Sequence, residues 1–259
     1  MRFENKTALI TGAASGMGLL SAKCIAAEGG NVVLVDVNEA GLAAAEAEIG
    51  RPAQTLSLTV DVRDYAQVIA ARDAAVERFG RIDILICCAG GAETRLLRDQ
   101  VPALKQAKTF HEVPIEVYDF GIDLNLKGPI YFAHAVMAQM AKQMSGVIIF
   151  LGSITGVEGG GSSGVAYACA KSGLITGATK SLAQYGAKYN IRVNCISPGP
   201  VLTREAMARM STLMGRAAEP QEIVDMILYI ASDKAAFMTG SNILIDGGRN
   251  VMDKRKYEK

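Results

Sequence analysis

Seven short apolar runs, separated by longer segments of helical periodicity, constrain this chain more than any other feature. The runs cover 7–11, 31–37, 55–60, 82–88, 147–151, 191–196 and 242–245. They are apolar on both faces, as strands are when helices cover both sides of a parallel sheet. Between them, alanine-rich or 3.6-periodic stretches over 18–28, 39–49, 65–79, 118–144, 164–189 and 220–232 predict helices. Regular strand–helix alternation predicts an α/β fold, a doubly wound parallel sheet of about seven strands with helices on both faces. The 259 residues, half of them apolar, can bury a large core. No linker composition or internal repeat divides them, so a single domain over 1–259 is expected.

Charge removes several function classes. A formal net charge of +1, with acids and bases interspersed, supplies neither a basic stripe for nucleic acid nor a polybasic membrane patch. No apolar run reaches membrane-spanning length, and the opening MRFENKTALITG runs directly into a strand pattern without a charged-then-apolar leader. A cytoplasmic protein acting on small molecules is the expectation. Cys24, Cys87, Cys88, Cys169 and Cys195 lack CxxC spacing, which points to free thiols and no metal site.

The first run ends in TGAASGMG, residues 11–18, where a helix begins. Glycines at Gly12, Gly16 and Gly18, with Ser15 and Met17 between them, allow a tight turn and close approach to a pyrophosphate. The helix N-terminus offers free N–H groups to the phosphates. The second run then reaches Asp36 and Val37. An acid at that place accepts hydrogen bonds from a ribose 2′-OH and repels a 2′-phosphate, so NAD is the expected cofactor. Ala13, Ala14, Ser15, Val37 and Asn38 include no cation that could hold the phosphate.

Tyr167 is followed four residues later by Lys171, and Ser153 lies fourteen residues upstream at the end of an apolar run. On a helix, positions i and i+4 share a face, and a cation beside a tyrosine favours phenolate. Of the eight tyrosines, only Tyr167 has a lysine at that offset. Together with Asp61-Val62, Ala89-Gly90, Asn125 and the run NCISPGPVLT at 194–203, these motifs make the chain resemble the short-chain dehydrogenase/reductase family in its compact form. The match runs from Lys6 to Gly248.

That resemblance implies NAD-dependent interconversion of a secondary alcohol and its ketone. Tyr167 acts as base, Lys171 favours the phenolate, and Ser153 holds the developing alkoxide. Asn125 interrupts its helix and carries a water linking Lys171 to solvent. The resemblance also implies that Asp61 and Val62 flank the adenine and that Ala89 and Gly90 line the nucleotide. Pro198, Gly199, Val201 and Thr203 hold the nicotinamide end. A homotetramer, with a dimer second, follows from relatives that pair their two long helices across a two-fold axis. A non-catalytic NAD-binding sensor or scaffold stays the alternative of another class.

Departures from the family pattern concentrate at the substrate mouth. Cys87 and Cys88 stand where two asparagines are usual, which predicts a local rearrangement. The Ser153–Tyr167 gap is one residue longer than the commonest, within the glycine-rich loop 156–164. Residues 93–112 form an insertion in which Pro102, Leu104, Ala107 and Lys108 suggest a short helix, while the lid at 204–216 is short. Met207, Met210 and Met214 recur at helical spacing and would suit a bulky alicyclic or steroid alcohol. Glu158, Arg95, Arg98, His111 and Arg204 would suit a sugar, polyol or hydroxy acid, and the lean is to that polar substrate.

Overall fold

The computed structural model describes residues 1–107, 109–160 and 164–253. Its centre is one parallel sheet of seven strands in the order β3-β2-β1-β4-β5-β6-β7. The strands are β1 Thr7–Thr11, β2 Asn31–Asp36, β3 Thr55–Thr59, β4 Ile84–Cys87, β5 Gly146–Leu151, β6 Ile191–Pro198 and β7 Asn242–Ile245. All seven expected strands are present, with ends shifted by at most two residues. Successive side chains of a strand point to opposite faces, and the core divides accordingly. Ala8, Ile10, Val32, Leu34, Ile84 and Ile86 enter one apolar cluster. Leu9, Val33, Val35, Leu85, Ile148 and Phe150 enter the other.

Helices α1 Gly16–Ala27, α2 Glu39–Ile49 and α10 Pro220–Ala231 contribute to the first cluster, and α3 Tyr65–Phe79 to the second. Local chemistry sets several of their ends. Asn38 and Asp64 accept backbone N–H groups at the starts of α2 and α3, and Gly50 and Gly80 end those helices in the left-handed conformation. Short helices α4 Glu93–Leu96 and α7 Thr155–Glu158 follow β4 and β5.

The two long expected helices each contain one π-helical stretch. The first comprises α5 Ile115–Ile122, the wide turn Asp123–Lys127 and α6 Gly128–Gln143. The second comprises α8 Val165–Ser172, the wide turn Gly173–Ala178 and α9 Thr179–Ala187. Side chains serve the widened backbone: Asn125 Nδ2 donates to the Gly121 carbonyl at 3.0 Å and Thr179 Oγ1 to that of Leu174 at 2.6 Å.

One sequence expectation is corrected and another is met in part. The cysteines before Ala89 cause no rearrangement, because β1 and β4 stay paired in register through Thr11 and Cys87. Thr11 Oγ1 accepts the Ala89 N–H at 3.1 Å, a bridge between the strands that needs no asparagine. The segment 93–112 opens with the one-turn helix α4, and the short helix expected at Pro102 is present as a 3₁₀ helix that ends at Lys105, before Ala107. Pro102–Lys105 forms one 3₁₀ turn, and a capping box at Thr109 and Glu112 starts the next. Lys108 and loop residues 161–163 lie outside the described residues. Among the described residues, no helix is long and apolar enough to cross a membrane.

Candidate active site

Strand order reverses between β1 and β4, since the chain winds outward in both directions from there. In such a sheet the crevice lies beyond the carboxyl ends of these strands. Close approach builds it. Gly12 has φ +69°, and a Cβ there would lie 2.7 Å from the Ala89 nitrogen. A Cβ at Gly18 would lie 2.3 Å from the Gly12 oxygen, so α1 packs directly on the turn. Gly16 differs: φ is +57°, with nothing within 4 Å of a Cβ position, so it faces open space. Ser15 makes no side-chain cap, which leaves the first N–H groups of α1 without a side-chain acceptor.

A cleft of about 760 Å³ opens over this turn. Gly12, Ser15, Gly16, Met17 and Gly18 line one wall, Asp36, Val37, Asp61 and Val62 another, and Ala89 and Gly90 its base. Asp36 accepts the Ala14 N–H at 3.2 Å and the Asn38 N–H at 3.1 Å, which fixes the carboxylate while leaving lone pairs for a ligand. The cleft also contains Arg63, a cation missed from sequence. Arg63 Nε reaches both Asp61 oxygens at 2.9 and 3.0 Å and holds that carboxyl below its usual range. Its guanidinium lies 4.7 Å from the Phe120 ring centroid. This anchored cation is already paired. An open, glycine-lined cleft with unpaired helix N–H groups and a fixed acid fits a dinucleotide.

Beside it lies a second cavity of about 370 Å³. Ser153, Tyr167, Lys171, Pro198, Gly199 and Val201 line it, and Met17, Cys88, Gly90, Arg95 and Thr203 line both spaces. Tyr167 and Lys171 lie on α8, with the Lys171 Nζ 5.5 Å from the Tyr167 ring centroid. Only 4% of Lys171 is exposed, and its Nζ donates to the Leu151 carbonyl at 2.6 Å. Its charge opposes the effect of burial on Cys88 and Cys195, yet burial wins and pushes these thiols up to about 12 and about 11. They are therefore neutral near pH 7 and do not balance the ammonium. Ser153 Oγ accepts the Thr155 N–H at 3.1 Å, leaving its own proton to donate.

Asn125 is not at the cavity wall. It is fully buried, its Oδ1 accepting the Gly91 N–H at 2.9 Å and its Nδ2 donating to the Gly91 carbonyl at 3.0 Å. Its side chain fixes the backbone beyond β4. The mouth expectations divide as well. Arg95, Arg204, Met207 and Met210 reach the cavity. Arg98 and His111 are exposed and do not line it, and Glu158 pairs instead with Arg249 at 3.2 Å. Met214 is 69% exposed, because a 3₁₀ turn over Glu205–Arg209 replaces the helix that the methionine spacing suggested. Within the insertion, Thr94 and Arg95 touch the cavity, as does Ala92 just before it, whereas the turns at Pro102–Lys105 and Phe110–Glu112 do not.

Glu93 escaped sequence analysis. It is 0% exposed, and neither carboxylate oxygen meets a donor in hydrogen-bonding geometry. A Cβ at Gly164 would lie 2.1 Å from its Oε1, so the carboxylate sits against the start of α8. Burial pushes its pKa up, opposed by the nearby N–H groups of Tyr167 and Ala166. An isolated glutamate opening an insertion carries no sequence signal of this; only the fold brings Gly164 against it.

A family profile described as Enoyl-(Acyl carrier protein) reductase matches residues 12–250. The chain belongs to the short-chain dehydrogenase/reductase family. It is 39% identical over 262 residues to trans-4-hydroxycyclohexanecarboxylate dehydrogenase of Sinomonas cyclohexanicum, covering 96% of this chain and 95% of that one. It is 34% identical to the NAD(+) 2-dehydro-3-deoxy-L-rhamnonate dehydrogenase of a Sphingomonas species, with 96% and 97% covered. Among solved structures, a short-chain glucose/ribitol dehydrogenase from Brucella melitensis superposes with a TM-score of 0.82 at 29% identity, covering 96% of this chain and 98% of that one. Like these short-chain dehydrogenases, the protein is an oxidoreductase of CH–OH groups.

Proposed function

We propose that the protein is an NAD(H)-dependent oxidoreductase interconverting a secondary alcohol and its ketone on a polar, hydroxylated substrate. The observation that carries this reading is the convergence of Ser153, Tyr167 and Lys171 on a cavity that meets the nucleotide cleft at Gly90 and Thr203. Bound nicotinamide would supply the hydride acceptor for oxidation and the donor for reduction. As its phenolate, a form that the buried Lys171 ammonium beside the ring favours, Tyr167 takes the hydroxyl proton and becomes the neutral phenol; in reduction it gives that proton back. Ser153 donates its free proton to the substrate oxygen as negative charge develops there. Asn125 holds the Gly90–Gly91 backbone between the two spaces, and a water linking Lys171 to solvent belongs to this reading.

Asp36 supports NAD over NADP, because its fixed carboxylate opposes a 2′-phosphate and Arg63 is already paired with Asp61. Gly12, Ser15, Gly16, Met17 and Gly18 would hold the pyrophosphate. Val37, Asp61 and Val62 would flank the adenosine, Ala89 and Gly90 the central nucleotide, and Pro198, Gly199, Val201 and Thr203 the nicotinamide. The hydroxy-acid and deoxysugar-acid names of the two relatives support a polar substrate. A bulky alicyclic alcohol is the second reading, favoured by Met207, Met210, Val201 and Ile154 on the cavity wall. Exposed Ile130, Val165 and Tyr185 on the long helices support a homotetramer, or a dimer; a cytoplasmic location belongs to the same proposal. NADH formation across polyols, sugars, hydroxy acids and steroids tests the substrate reading. Turnover of steroids alone would replace it with the second.

A further inference from the structure

The charge lining the catalytic cavity is one-sided. Its wall includes Arg95, Lys171 and Arg204 but no aspartate or glutamate. Lys171 is accounted for by Tyr167 and the Leu151 carbonyl. Arg95 and Arg204 have no such partner: among the described residues, neither pairs with a carboxylate. Acids near them in sequence face other cations. Asp99 meets Lys105 at 3.2 Å and Glu205 meets Arg209 at 3.9 Å. Glu93 is buried against α8. Among the described residues, the only polar contact of either guanidinium is that of Arg204 Nη2 with Met207 Sδ at 3.6 Å.

Arg95 occupies a prepared place. A Cβ at Gly91 would lie 2.5 Å from its Nη2, so any other residue at 91 would displace the guanidinium. The Gly91 N–H and carbonyl are both bound by the Asn125 side chain, which holds that seat still. Arg204, on the segment after β6, lines the same cavity. Burial and the Arg204 charge both lower the Arg95 pKa, so the two cations interact unfavourably across the space. An anion between them relieves that repulsion, and guanidinium forks match a carboxylate in shape.

Resting on the proposed oxidoreductase reading, we infer that Arg95 and Arg204 clamp a carboxylate of the substrate, making the substrate a hydroxy acid or its keto acid rather than a neutral polyol. Ser153 and Tyr167 are the groups assigned to the reacting oxygen, so the clamp binds a group that does not react. Arg95 also borders the nucleotide cleft, so a cofactor phosphate is the rival anion.

The test compares 2-, 3- and 4-hydroxy acids with their primary amides, and polyols, at saturating NAD+. At least one acid should exceed its amide in kcat/KM by about a hundredfold, a difference on the scale of charge-assisted hydrogen bonds. Arg95→Gln with Arg204→Gln should erase that ratio, chiefly through KM for the acid, while KM for NAD+ stays constant. An unchanged ratio, or a polyol preferred over every acid, overturns the clamp. A raised KM for NAD+ with the acid unaffected assigns Arg95 to the cofactor instead. If no compound turns over, the substrate reading has failed, and binding still judges the clamp. Benzoate should bind the NADH complex at least tenfold more tightly than benzamide, and the double variant should lose that difference. Equal binding of the two overturns the proposal independently of turnover.

Discussion

The nucleotide cleft and the substrate mouth border the same five residues, yet different physics builds them. In the cleft, backbone meets backbone at distances that admit no side chain, as between Gly18 and the Gly12 oxygen, and strand register holds the geometry. The mouth consists of α4, 3₁₀ turns and long side chains such as Arg95, Arg204 and Met207. A cleft of the first kind has one shape and one class of ligand. A mouth of the second kind can change its ligand by side-chain replacement without disturbing a strand.

Substitutions can break or sharpen that contrast. Tyr167 stands at the mouth but serves the chemistry that needs both regions, so Tyr167→Phe should lower turnover by about 10²- to 10⁴-fold while leaving NADH affinity intact. Fluorescence titration of NADH beside single-turnover rates checks this, and near-normal turnover would remove Tyr167 as the base. Gly18→Ala forces a Cβ against the Gly12 oxygen. It should cost about 1–3 kcal/mol of stability and at least tenfold in NADH affinity, measured by thermal melts and titration. Asp36→Ala removes the group opposing a 2′-phosphate, and should reduce an expected preference for NAD over NADP of about tenfold, or about 1.4 kcal/mol. Equal turnover with both cofactors in the unmodified enzyme would sink that assignment.

Glu93 lines neither region; it is buried against Gly164 at the start of α8, its carboxylate without a hydrogen-bonded donor among the described residues. Its folded-state pKa is raised, so the folded protein binds the proton more tightly than the unfolded chain does. Its contribution to stability is then fullest below the ordinary carboxylate range and is lost as pH rises through the raised value. Glu93→Gln should flatten this decline and, above it, stabilise by at most the cost of an unsatisfied buried group, about 1–3 kcal/mol. Denaturant melts across pH 4 to 8 check the sign. The smallest effect belongs to the mouth alone: Met207→Ala should change substrate KM by only a few-fold, with the melting temperature and NADH affinity unaltered.

Legibility in sequence follows the same division. β1 to β7 could be read because a strand buried on both faces is apolar throughout, and α2 and α3 because Asn38 and Asp64 cap them and glycines end them. Ser153, Tyr167 and Lys171 could be singled out because two of them sit on one helix and the third closes a strand. Glu93 and Arg63 could not, since each acquires meaning from partners distant in the chain or from burial. The methionine spacing misled because a helical period is also produced by residues on a 3₁₀ turn and the extended backbone after it.

The paired π turns carry a consequence for how this chain tolerates change in length. A π turn accommodates one residue more than an α-helix would between the same ends, and one residue corresponds to about 100° of helical rotation. Deleting a single residue within Gly173–Ala178 would let the helix close into ordinary α register, with α8 and α9 left close to their present phase. A deletion within α9 itself has no such wide turn to absorb it and would rotate the rest of that helix by about 100°, off its seat on β6. The same holds for α5 and α6 about Asp123–Lys127. Each long helix thus carries one place where its length can change by a residue, and a one-residue deletion at either junction should be far less damaging than one within α6 or α9.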